Sequence, residues 1–500
     1  MQLLEPTPYN KIVDQDYLQD LTIKITKQVF EDIMFTDGRS TFSFLNCKFK
    51  KLIIENEEDI EFKNISLSFS SCYIEELELK NIQTKNISIL FHSTLLSGSA
   101  DNENIKSVHF NNCIILGALF LMRIKSIHIS YTEENLFPKR WSRMLQNLSV
   151  SYIDIIKRKQ DYRIYDCLEL SFSSNENTSE KRGFYLRSYE SQKDYRIGYF
   201  LTDEEKDYFN INLYIKYSSE IDHKETKIIN SRFNSLSLTG YVKGNISIEN
   251  TKINNWYIRD LSTESGASFY NISPIKTIDS KIEIHKSNLD KSWFDNIAFS
   301  SYKLISFYRT KFGKTTFTSC DFPSNSTSFE NFTALENVHY PENKPDKYYK
   351  DQYEIFLQLK GQLEGTGNFY ESQKLQAISN DALMKIEDIS RWDKFILFTN
   401  SLSNNHGLSI ARPLKWFALF SFVLYILYLI SVRRIFIDTN FDPTLIGYYF
   451  SFIDLTHRND FLVEKREFSA WTLSIDYINK VLTSYFIYQF ISAFRKYGKK

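Results

Sequence analysis

The chain has 500 residues, with Lys plus Arg and Asp plus Glu both at 61, so the formal net charge is zero. That balance argues against a coat for nucleic acid, which carries a basic excess, and against an acidic mimic of one. Hydrophobic residues make up 42% and charged residues 24%, with only 15 Gly and 9 Pro, which excludes wholesale disorder and collagen-like or linker-dominated chains. The length suits about two to four domains.

The amino-terminal stretch, Met1 to Asp20, lacks a basic region followed by an apolar one. No cleavable signal is legible there, and the bulk of the chain is expected in the cytoplasm. Cysteines stand at 47, 72, 113, 167 and 320, an odd number without CxxC spacing. They read as small buried hydrophobes in a reducing compartment and not as a disulfide framework.

From residue 44 to about 322 one pattern recurs, a small polar residue followed by spaced apolar ones. Asn46-Cys47-Lys48-Phe49 leads to Leu52 and Ile54, Ser71-Cys72-Tyr73-Ile74 to Leu77 and Leu79, and Asn112-Cys113-Ile114-Ile115 to Ala118 and Phe120. Phe233, Leu236 and Leu238 form a further copy, as do Ile253, Trp256 and Ile258. Leu289, Ser292, Phe294 and Phe312, Thr315, Phe317 are weaker ones. A spacing of roughly 20–25 residues with period-two alternation inside each copy suits one coil of a β-solenoid. Asn, Ser and Thr at the copy starts suit its corners. The pattern therefore predicts a mainly β fold, a right-handed, pentapeptide-repeat-like solenoid over 44–343, behind an N-terminal cap at 1–43. An irregular β-sandwich is the alternative. The repeat breaks between about 132 and 224, where an insertion or a set of enlarged turns is expected, although Cys167 to Phe172 and Phe209 to Tyr217 still read as strands.

No reaction is legible. The eight His form no HxH, HxxxH or HExxH pattern, and neither GxGxxG, GxxxxGK[ST] nor GxSxG occurs. His109 and His128 lie in strand-like runs, where one polar strand face is the favoured reading and metal ligation across coils the other. Asp203-Glu204-Glu205 and Glu57-Glu58-Asp59 read as solvated turns. The expectation is no catalytic residue, no metal and no cofactor.

Composition changes near 344. Tyr353, Phe356, Leu359 and Leu363, then Leu375, Ile378, Ala382, Ile386 and Ile389, recur at helical steps on either side of Gly365-Thr366-Gly367-Asn368. This predicts a helical hairpin linker over 344–411, with a third helix around Trp392. Trp416 to Val432 is a run of 17 residues without a charge, preceded by Lys415 and followed by Arg433-Arg434. A transmembrane helix over about 414–433 is expected, and a second over 476–494, making 412–500 a membrane region. Arg412, Lys415, Trp416, Arg433, Arg434, Arg495 and Lys496 are its candidate interface residues.

Leu359-Lys360, Gly367-Asn368, Asn404-Asn405-His406-Gly407, Arg412-Pro413-Leu414 and Ala493-Phe494-Arg495-Lys496-Tyr497 resemble a family of bacterial, Bacteroidetes-type membrane proteins. In that family pentapeptide-like repeats precede a helical linker and two membrane segments. The resemblance covers about 344–500 and, more loosely, the repeat region. It implies architecture and residence in the inner membrane. Some relatives carry a two-helix channel module, which makes Ser451, Thr456, His457 and Asp460 candidate pore-loop residues. No Gly-Tyr-Gly follows them, and potassium conduction needs the carbonyl ladder that Gly permits. The leading expectation is a membrane-anchored scaffold that binds a protein partner through its repeats, with both termini cytoplasmic. Its partners would be the lipid bilayer, an unidentified protein and a second copy of the chain, with no nucleic acid. A pore-forming effector and a polysaccharide-cleaving β-helix are the rival functions.

Overall fold

The computed structural model describes residues 2–3, 13–14, 18–25, 40–45, 47–56, 65–80, 82, 87–132, 159–175, 183–186, 197–200, 211–323, 345–432 and 443–494. These fall into two compact units, one up to Asp321 and one from Phe322 onward.

In the first unit each strand pairs in parallel with the next but one in sequence, so successive strands alternate between two ladders. One ladder climbs through Leu18–Ile25, Lys48–Asn56, Tyr73–Lys80, Leu95–Asp101, Ile114–Met122, Gln160–Tyr165, Ile211–Tyr217 and Arg232–Val242. It ends through the second half of Asn245–Thr263, Lys281–His285 and Leu304–Tyr308. The other runs from Ser40–Leu45 through Ile65–Ser70, Ile87–His92, Ile105–Asn111, Ser126–Thr132 and Glu169–Asn175. It continues through Glu225–Ile229, the first half of Asn245–Thr263, Ala267–Ser273, Trp293–Asp295 and Thr316–Thr318. Parallel strands that return coil after coil to the same two faces make a β-solenoid.

Register stacks like on like. Phe44, Phe69, Phe91 and Phe110 occupy one interior column, with ring centroids 4.9, 5.2 and 5.3 Å apart. Phe269, Phe294 and Phe317 repeat it further on at 4.7 and 5.1 Å. Such ring pairs contribute roughly 0.5–1.5 kcal/mol each beyond their area. On the other ladder Leu213, Leu236, Trp256, Ile282 and Ile305 form a second buried column.

The corners explain the small polar residues. Ser71, Ser93, Asn112, Asn230 and Asn250 adopt left-handed backbone, with φ between 47° and 51°. The N–H of Ser71, Ser93 and Asn112 donates to the coil above, for instance Ser71 to the His92 carbonyl at 3.0 Å. The next residue turns inward and is Cys72, Thr94, Cys113, Ser231 or Thr251. Cys113 Sγ–H reaches the Phe91 carbonyl at 3.3 Å, and Thr94 Oγ1–H reaches that of Phe69 at 3.2 Å. A thiol and a hydroxyl therefore perform the same task, bonding a carbonyl of the previous coil.

The ladders reach back before residue 44: Gln2–Leu3 pairs with Leu18–Ile25, and that strand with Lys48–Asn56. Within 132–224, where an insertion or enlarged turns were expected, Gln160–Tyr165, Glu169–Asn175 and Ile211–Tyr217 hold their places on the ladders. An antiparallel hairpin, Gly183–Leu186 with Ile197–Phe200, lies between two of these coils. Ala118 and Phe120 point outward, and Leu119 and Leu121 fill the core instead. The register shifts there, with Ile74 to Leu77 opposite Leu96 to Gly98 and then Ile115 to Leu119. The coil with one residue fewer is followed by one with more, a bulge that reverses the alternation. Gly98 is required at the pinch, since a Cβ there would stand 2.2 Å from the Leu77 carbonyl oxygen at φ +134°.

The second unit is helical: α1 (Pro345–Gly365), α2 (Phe369–Lys385), α3 (Arg391–Asn404), α4 (Ala411–Ser431), α5 (Thr444–Ile453) and α6 (Ala470–Phe494). The expected hairpin is α1 and α2, closed by Gly367 at φ +81° and by Asn368 Oδ1, which accepts from the Glu371 N–H at 3.2 Å. Phe356, Leu359, Leu363, Leu375 and Ile378 are buried as the spacing requires. Ser390 caps α3 by accepting from the Asp393 N–H.

Candidate functional site

All five cysteines are buried thiols outside any disulfide, and burial pushes those of Cys113, Cys167 and Cys320 up to about 12. Among the described residues no group of three His, Cys, Asp or Glu could hold a metal. His109 and His128 sit on adjacent coils, but their rings stack at 4.5 Å and 18° and do not converge on a common point. Both carboxylate clusters, 57–59 and 203–205, lie outside the described residues. The outer faces carry ion-pair and amide ladders, such as Lys51 with Glu76 at 3.0 Å and Asn250, Asn271 and Asn296 linked at 2.9 and 3.1 Å.

The unusual chemistry lies in α4, α5 and α6. Seven residues of α6 are buried at steps of three or four: Thr472, Asp476, Asn479, Thr483, Phe486, Gln489 and Ala493. Five of the seven are polar. The outward face carries Trp471, Tyr477, Ile478, Val481, Ile487, Tyr488, Ile491 and Phe494. This helix is polar inside and apolar outside, the inverse of a helix on a water-soluble protein.

Four of the five polar residues on the seam meet another element, while the buried Thr483 hydroxyl has no hydrogen-bond partner among the described residues. Thr472 bonds Ser431 at the end of α4 at 3.0 Å. Asn479 Nδ2 donates to the Phe452 carbonyl in the last turn of α5 at 2.7 Å. Gln489 Nε2 donates to Asn400 Oδ1 of α3 at 2.8 Å, and Asn404 Nδ2 to Gln489 Oε1. From α4, Ser421 bonds the Tyr449 hydroxyl at 2.8 Å, and the Tyr425 hydroxyl donates to the Leu445 carbonyl at 2.6 Å. Aromatic rings fill the remainder, with Tyr425 and Tyr428 each against Phe452.

At the α5–α6 turn lies a buried ionic group. Asp476 Oδ1 is 2.6 Å from His457 Nε2, and its Oδ2 is 3.4 Å from Lys480 Nζ. Lys480 also donates to the His457 carbonyl at 3.1 Å and to Asn459 Oδ1 at 3.0 Å. Three oxygens thus surround one ammonium.

Of the expected pore-loop residues, His457 is tied to Asp476, while Thr456 closes a turn by bonding Asp454 Oδ1 through its N–H and hydroxyl at 2.9 and 2.8 Å. Asp460 is exposed and Ser451 half-buried on α5, so the four do not converge. Arg412 and Lys415 are exposed at the start of α4, and Trp416 stacks on Phe420 at 5.6 Å. Arg433, Arg434, Arg495 and Lys496 lie outside the described residues. Asp476, Asn479, Lys480 and Gln489 were not picked out from the sequence. Their signal was present as polar residues three and four apart within an apolar run.

By length and composition α4 is the one helix among the described residues apolar enough to cross a membrane, at a mean hydropathy of 1.9. The chain has no match among family models, curated proteins or solved structures.

Proposed function

We propose that the protein is a membrane-anchored scaffold, its solenoid a docking body for a protein partner and its helical unit the anchor, the order of parts being that of the family it resembles. The observation that carries the anchor is the inverted polarity of α6 packed on α4. The average hydropathy of α6 is lowered by Asp476, Asn479, Lys480 and Gln489, residues turned toward other helices or the α5–α6 turn, while the face it offers its surroundings is apolar. A buried polar seam within an apolar exterior suits two helices crossing a bilayer together. Its 25 residues give a length of about 37 Å, sufficient for the roughly 30 Å hydrocarbon core. Arg412 and Lys415 favour the cytoplasm for the α3 end, which with two spans places both termini there, at the inner membrane of a bacterium. We take the solenoid to wind right-handed, as parallel crossover connections do. Its stacked outer ladders offer a long, regular surface of the kind that repeat proteins use for binding.

The test is fractionation of the full-length chain. It should stay with membranes through an alkaline carbonate wash, and Val423→Arg with Leu427→Arg on the outward face of α4 should abolish that retention. Release of the unmodified chain by carbonate rejects the anchor.

One observation favours a channel as second reading: α5 is a short apolar helix packed between two long ones. Against it, Lys480 fills the oxygen cage behind that helix. Steady single-channel currents from the purified chain in planar bilayers would promote this reading over the scaffold.

A further inference from the structure

Helix α3 is a part of the anchor that neither span accounts for. It exposes Trp392, Phe395, Ile396, Phe398 and Leu402, with Trp392 77% exposed and the other four 50% or more. Its opposite face is polar and already occupied: Asn400 and Asn404 bond Gln489, and the Ser403 hydroxyl bonds that of Tyr485 at 3.1 Å. These contacts hold α3 beside the last turns of α6, close to Phe494, where α4 also begins. Six residues, 405–410, connect it to α4, with Asn405, His406 and Gly407 all at positive φ. At 14 residues α3 is about 21 Å long, too short to cross roughly 30 Å of hydrocarbon. From Lys394 to Val432 the chain has no Asp or Glu, while Lys394, Arg412 and Lys415 are cationic.

We infer that α3 is an in-plane lipid anchor, whose Trp392, Phe395, Ile396 and Leu402 sink into the boundary between headgroups and acyl chains on the side where α4 enters. The inference rests on the membrane reading above and adds a surface to it. A short helix with aromatic and aliphatic residues on one side, joined to a span by a tight turn, has the composition and length of an interfacial helix. Trp392 at its start suits the headgroup level. The lipid recognised is an anionic one, since Arg391, Lys394, Arg412 and Lys415 outnumber the single acid on α3, Asp393.

The native thiols are buried in the solenoid, so one introduced cysteine carries the reporter. Phe395→Cys and, separately, Ile396→Cys and Phe422→Cys in α4 are labelled with an environment-sensitive dye. The full chain is then placed in vesicles of zwitterionic and anionic phospholipid, brominated either near the glycerol end or near the methyl end of the acyl chains. The expected result is blue-shifted emission at 395 and 396, quenched more by shallow than by deep bromine, with the reverse order at 422. Quenching at 422 without any at 395 or 396 overturns the in-plane anchor and leaves the span. Quenching at none of the three overturns both. Deeper than shallow quenching at 395 also overturns the inference, as does protection that persists without lipid and rises with protein concentration, which would assign this face to a second copy.

Discussion

The side-chain amide of Asn479 donates to the main-chain carbonyl of Phe452 over 2.7 Å, and Asn479 is 1% exposed. A polar residue in the middle of an apolar helix thereby closes the last turn of a neighbouring one. A carbonyl at a helix C-terminus has no partner within its own helix, and away from water it must find one elsewhere. The contact is thus a reason for α6 to carry Asn at that position, and it links α5 to α6.

Removing that amide has a calculable cost. Asn479→Leu fits the apolar surroundings but leaves the Phe452 carbonyl without this donor, which costs about 1–3 kcal/mol. Thermal unfolding of the detergent-solubilised chain should show the loss in the helical transition, with the solenoid transition unmoved. An unchanged helical transition would mean that the bond contributes nothing.

The bulge in the solenoid core makes a paired prediction. Leu119→Ala should destabilise the solenoid by about 2–5 kcal/mol, since the side chain is fully buried and leaves a cavity. Phe120→Ala should cost about 1 kcal/mol or less, because Phe120 faces out and its main contact is the Arg163 guanidinium 5.7 Å above its ring. Denaturant midpoints of the two variants separate the readings. If Phe120→Ala is the worse, the uninterrupted alternation written in the sequence is the true one.

That pair also shows where the sequence is legible and where it is not. Leu52, Leu77, Leu236 and Trp256 all lie in the core as their spacing implied, because a coil with a constant residue count keeps its phase. Phe120 breaks the rule since a bulge changes the count without changing the composition. Over 132–224 the strands at Cys167 to Phe172 and at Phe209 to Tyr217 were legible, with Ile211–Tyr217 alternating cleanly, while the long segments between strands obscured the repeat spacing. The hairpin α1–α2 and the long apolar helix α4 follow from periodicity and from a charge-free run. The seam on α6 was lost in an average: Asp476 and Lys480 lower the hydropathy of the whole segment, while only their position on the helix shows that they face inward.

The corner cysteines should be chemically silent. Cys113, Cys167 and Cys320 are buried, and that burial raises their thiols to about 12, so almost no thiolate is present at neutral pH. Alkylation in native buffer should be negligible and should appear only with unfolding of the solenoid. Cys113→Thr should keep the fold, because Thr94 performs the same corner bond one coil earlier. Rapid alkylation of the native chain at these sites, or unfolding of Cys113→Thr, would remove the argument that thiol and hydroxyl are interchangeable there.

The stacked pair His109 and His128 gives the solenoid a definite response to acid. Burial, then the neighbouring His128 ring, holds the His109 imidazole below its ordinary value, and burial does the same for His128 against an opposing pull from Glu169. Between the folded values and the unfolded value of about 6.5, the unfolded chain binds more protons than the native one. Stability is therefore complete above about pH 6.5 and falls as pH drops through that window, levelling off below the folded values. In the same column the preceding coil carries Leu90, so a leucine is accommodated on this face. His109→Leu with His128→Leu should flatten part of the decline in denaturant midpoint between pH 7 and the acid side. The buried His223, also held low by burial, keeps its own share in both proteins. A decline of equal size in the double variant would show that protonation of the pair does not destabilise the coils.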